Sequence, residues 1–104
     1  MSEMVSDSTV RHQHSGEEWD IPVSLLEAQR RWDEADAACT HLASAGDPAA
    51  YESARARRLT EALALHRHPW LLEQQQAGRR FQADQAVKQL ARAAVQKADL
   101  VEST

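Results

Sequence analysis

Six side chains able to ligate a metal or attack a substrate stand in three pairs, each pair two residues apart. They are His12 and His14, Cys39 and His41, and His66 and His68. On a helix that spacing turns the two side chains about 200° apart, so they cannot share an ion as helical pairs do at three or four residues. His12 and His14 would point the same way on an extended chain. Their segment, MSEMVSDSTVRHQHSGEEWD, scatters serine, acid, His and Gln without a sustained apolar period. Such a composition buries too little surface to offset the entropy of ordering it. Residues 1–20 are therefore expected to form a disordered acidic tail. With zinc needing three or four convergent ligands, neither a metal site nor a cofactor is expected.

Nucleophilic and acid–base chemistry find equally little support. Cys39 lies seven residues from Trp32 and fourteen from Leu25, on an apolar seam, where a thiol behaves as a small hydrophobe. A reactive thiol wants an electropositive setting, and Asp36 one turn earlier provides the opposite. The chain has no Gly-x-Ser-x-Gly elbow, and three glycines are too few for a phosphate-cradling loop. Asp33 with Asp36, or Asp84 with Lys88, would need a concave pocket to act as an acid–base pair. No catalytic residues, no small-molecule substrate and no enzymatic activity are expected.

What would position these residues is a set of alanine-rich helices. Pro22 suits the first turn of a helix, and Ser24 to Glu27 offers a capping box. Beyond it, Leu25, Ala28, Trp32, Ala35, Cys39 and Leu42 step by 3, 4, 3, 4, 3, the seam of a coiled coil. Gly46, Asp47 and Pro48 then supply a left-handed stop, a cap and a first helical residue. So short a connection makes the two flanking helices antiparallel. In the second helix Ala49, Ala56, Leu63 and Trp70 recur by sevens, accompanied by Glu52, Leu59 and His66. LHRHPWLLE reads as a corner: Pro69 disfavours helix at His68, lacks a donor, and opens a new helix with Trp70, Leu71 and Leu72. The third helix carries Phe81, Ala83, Val87, Leu90 and Ala94, with Gly78 as a bend or a second break.

The expected fold is all-α: an antiparallel helical hairpin extended to a three-helix bundle. Its helices span about 22–45, 48–67 and 69–99 in a single domain of residues 21–100, followed by a frayed 101–104. Leu25, Trp32, Leu42, Leu59, Leu63, Trp70, Val87 and Leu90 are expected to carry packing or to face a partner. Alanine buries little area, so so small a core favours supplementation by self-association as a homodimer.

Charge is segregated. Residues 1–54 hold eleven carboxylates against three arginines, a balance of −8, whereas residues 55–97 hold nine bases against three acids, +6. Either an acidic first helix lies beside basic later ones, or a basic surface awaits an acidic partner. For nucleic acid, Arg55, Arg58, Arg79, Arg80 and Arg92 would contact phosphates. A helix-turn-helix around Gly78 fails, since Asp84 stands where an apolar residue is needed. One cysteine excludes an internal disulfide. No run of eighteen apolar residues and no signal pattern occur, so a cytoplasmic location without membrane contact is expected. The function expected on these grounds is a non-catalytic protein–protein interaction module (an adaptor, scaffold or regulatory subunit), with a nucleic-acid-associated accessory protein as the alternative.

Overall fold

The computed structural model describes residues 8–102, with side chains described as far as Ala93. It contains a two-stranded antiparallel sheet, β1 (Thr9–His14) and β2 (Glu17–Pro22), followed by four helices. These are α1 (Val23–Ala43), α2 (Pro48–His66), α3 (Pro69–Gln76) and α4 (Arg80–Glu102).

The hairpin corrects the all-α expectation and, from Thr9 to Asp20, the disordered tail; residues 1–7 lie outside the described residues. His14 pairs with Glu17, leaving Ser15 and Gly16 as a two-residue loop. Both have positive φ, 55° and 78°, as the tight turn matching the right-handed strand twist requires. Paired residues share a face, so Val10 with Ile21, His12 with Trp19 and His14 with Glu17 look one way. That face turns inward: Trp19 and Ile21 are buried, and His12 and His14 half-buried. On the outer face Arg11 reaches Asp20 at 3.4 Å and Glu18 at 3.9 Å. The amide of Val23 donates to the Ser8 carbonyl at 2.8 Å, binding the start of α1 to the sheet end.

Pro22 closes β2 and stands at the N-cap of α1 rather than inside it, with no side-chain cap bond. The turn into α2 has Gly46 at φ +79°, Asp47 accepting from the Ala50 amide at 3.1 Å, and Pro48 as the first helical residue. At the next corner His68 caps α3: its Nδ1 accepts from the Trp70 amide at 3.1 Å. The ring proton is thereby assigned to Nε2, 2.8 Å from Ser24 Oγ. Ser24 is thus spent on tying α1 to this corner. Arg80 secures the other side, donating to His66 Nδ1 at 3.2 Å and to Gln75 Oε1 at 2.9 Å.

The expected third helix is two helices. Gly78 at φ +76° ends α3, and the Arg79 amide returns to the Gln74 carbonyl at 2.8 Å, the wide loop of a glycine-terminated helix. The break lets Leu71 enter the core beside Trp19, Ile21, Leu25, Ala28, Leu65, Ala83, Ala86 and Val87. Most of the volume there comes from the hairpin and from single large residues. The alanines serve to bring the helices close.

Trp19 is the keystone of this core. Trp70 meets it edge-on at 6.1 Å, and the Arg79 guanidinium lies 4.4 Å from its ring centroid while pairing with Glu17. Its Nε1 is buried and has no hydrogen-bond partner among the described residues. The indole is therefore held by packing and by the cation above it, not by a polar anchor. Trp19→Ala should lower unfolding free energy by about 3–5 kcal/mol, read from the shift in urea midpoint; a disordered tail would show no shift. Gly78→Ala, which forces a side chain onto a left-handed backbone, should cost about 1 kcal/mol in the same assay.

Candidate functional site

Helix α2 has two faces, and the apolar seam read from its sequence is the outer one. Toward α1 it turns Tyr51, Ala54, Arg58, Glu61, Ala62 and Leu65, of which only Ala54 and Leu65 are fully buried. This inner contact is stitched by charge. Arg58 meets Asp36 at 3.0 Å, Arg31 meets Glu61 at 3.4 Å and Arg57 meets Glu34 at 3.8 Å. Arg58 donates to the Asp36 carboxylate, and that bond raises the guanidinium pKa above its ordinary value. Small inward residues let the helices approach, and the ion pairs fix their antiparallel alignment.

The outer face carries Glu52, Ala56, Leu59, Leu63 and His66 at steps of 4, 3, 4 and 3, a coiled-coil seam whose two leucines are exposed. Leu59 is 62% exposed and Leu63 42%. Beside them the half-buried Trp32 of α1 is shared by two open depressions. One, about 430 Å³, is bordered by Ala56, Leu59 and Ala62 of α2. The other, about 440 Å³, lies toward α4 and is bordered by Gln29, Asp33, Lys88 and Arg92. Together they form a shallow trough whose floor is an indole and whose rim is charged.

The remaining residues expected to pack divide clearly. Leu25 and Val87 are buried; Trp32, Leu42, Trp70 and Leu90 are half-buried. The arginines considered for nucleic acid do not converge. Arg55 pairs with Glu52 at 3.3 Å and lies over the Tyr51 ring, Arg58 pairs with Asp36, Arg79 with Glu17, and Arg80 with Asp84 at 3.4 Å. Arg92 is exposed and borders both the trough and a groove beside the hairpin. Four of the five thus spend charge on carboxylates of their own chain.

Cys39 is buried on α1. Among the described residues, no group of three or more His, Cys, Asp or Glu side chains gathers. One cluster escaped the sequence reading because its strand was not foreseen. His12 Nε2 and His14 Nδ1 both approach Gln89 Oε1 of α4, at 2.9 and 2.7 Å. The signal for it was the alternation of Val10, His12 and His14 with Glu17, Trp19 and Ile21 about a Ser-Gly pair.

No helix among the described residues is long and apolar enough to cross a membrane. Comparisons with protein-family models, with curated proteins and with solved structures each found no match to this chain.

Proposed function

We propose that the protein is a non-catalytic helical interaction module that self-associates through the outer seam of α2. The observation that carries this is the exposure of Leu59 and Leu63 on a coiled-coil repeat, with Trp32 open at its flank. A single exposed leucine needs no explanation, but two on one stripe beside an indole form a surface that association would dry.

A second copy fits this stripe by both shape and charge. Crossing two α2 helices antiparallel about Leu59 sets Ala56 of one copy against Leu63 of the other, small against large. The same arrangement places Glu52 of one copy across from His66 and Arg67 of the other. Opposed helix dipoles and an isologous contact follow from the two-fold symmetry. Full burial of a leucine contributes roughly 1.5–3 kcal/mol, while association costs at least about 4 kcal/mol, so the expected dimer is reversible. The neutralisation of Arg55, Arg58, Arg79 and Arg80 within the chain favours this reading over nucleic-acid binding.

Sedimentation velocity over a concentration series tests it. The wild-type chain should pass from monomer to dimer, with little response to moderate salt. Leu59→Glu should move that midpoint up at least tenfold, about 1.4 kcal/mol, while leaving the helical circular dichroism unchanged because the side chain is outside the core. A wild-type monomer at every concentration, or a Leu59→Glu dimer as tight as the wild type, contradicts the proposal. Binding to duplex DNA that falls steeply with salt would direct attention to the arginines instead.

A further inference from the structure

The two histidines of β1 do more than pack. Because the strand is extended, His12 and His14 stand on one face, their rings 6.4 Å apart and inclined by only 18°. Each ring aims a nitrogen at the same atom, Gln89 Oε1, from 2.9 and 2.7 Å. Two imidazole nitrogens of the strand are thus brought within hydrogen-bond reach of one amide oxygen of α4, from segments 75 and 77 residues apart in sequence. The groove beside them, bordered also by Gln13 and Arg92, is open to solvent.

We propose that His12 Nε2, His14 Nδ1 and Gln89 Oε1 bind a divalent first-row transition-metal ion and so clasp the hairpin to α4. Imidazole suits Zn²⁺, Ni²⁺ and Cu²⁺, whereas Mg²⁺ and Ca²⁺ seek sets of oxygen ligands. Without the ion, the Gln89 oxygen accepts N–H bonds from both rings, one for each lone pair. On binding, each imidazole keeps its single proton but carries it on the other nitrogen, and the freed lone pair meets the metal. Water completes the coordination sphere from the open groove. The positive charge of Arg92 nearby opposes the ion, which makes this an exchangeable site rather than a closed structural one. The clasp would stabilise the docking of the hairpin, and with it the burial of Trp19. This inference stands apart from the self-association of α2 and uses none of its residues.

The experiment is a titration of the full chain with ZnCl₂, followed by calorimetry and by thermal melting. One ion per chain and a rise in Tm of several degrees are expected, with no comparable response to MgCl₂. His12→Gln and His14→Gln should each weaken binding at least tenfold, and Gln89→Ala should weaken it and remove the rise in Tm. His41→Gln should leave the affinity unchanged. Should a strand variant fold poorly, Ni²⁺ added to the unmutated chain provides a second reading: paramagnetic broadening should centre on the signals of His12, His14 and Gln89. No binding at about 1 mM Zn²⁺, binding unaffected by Gln89→Ala, or broadening centred on another histidine overturns the proposal.

Discussion

The governing constraint is a shortage of large apolar side chains. Alanine brings helices together without filling much space, so a few bulky residues decide where a core can form. Trp19 and Ile21 meet that need from outside the helices. The hairpin lays them into the junction of α1, α3 and α4, where Leu25, Leu71 and Val87 complete the core. Once the hairpin occupies this place, α2 is called on for little beyond Leu65 and Ala54. Its leucines at 59 and 63 are left outside. The exposed seam and the buried hairpin are thus two consequences of one packing solution.

Electrostatics then aligns what hydrophobic burial only gathers. The −8 and +6 segments of the sequence meet across α1 and α2 at Arg58–Asp36, Arg31–Glu61 and Arg57–Glu34, and again where Arg79 of the interhelical turn meets Glu17 of β2. Each exposed pair contributes little alone. As a set they select the antiparallel register and the rotation of α2 about its axis. That rotation points the small, charged face inward. Arg79 does a second task, since its guanidinium lies over the Trp19 ring and covers that face of the indole.

Local chain chemistry was readable from the sequence wherever one residue dictates one backbone geometry. Gly46, Asp47 and Pro48 specify a stop, a cap and a start within three residues, and Pro69 specifies the corner at His68. Gly78 announced a weak point, but whether a glycine bends or ends a helix depends on tertiary contacts, here those that draw Leu71 inward. The hairpin was obscured because its inward face mixes Val10 and Ile21 with His12, His14 and Glu17. Alternation of apolar and polar residues is therefore blurred, and two large side chains must be weighed above the polar company they keep. The heptad of α2 was visible, but its direction was not. A periodic stripe says that a helix has an apolar face, and only the neighbours say whether that face is used within the chain. The His12–His14–Gln89 cluster was hidden for the same reason, since it exists only once a strand and a distant helix are side by side.

The hairpin belongs to the core and thereby releases the α2 seam to the surface. Native-state amide hydrogen exchange tests this most directly. The inter-strand amides of β1 and β2 should exchange only through the global unfolding that also exposes α1 and α4, with the same free energy and the same denaturant dependence. Exchange of those amides at the rate of an unstructured peptide, while the helices stay protected, would contradict it.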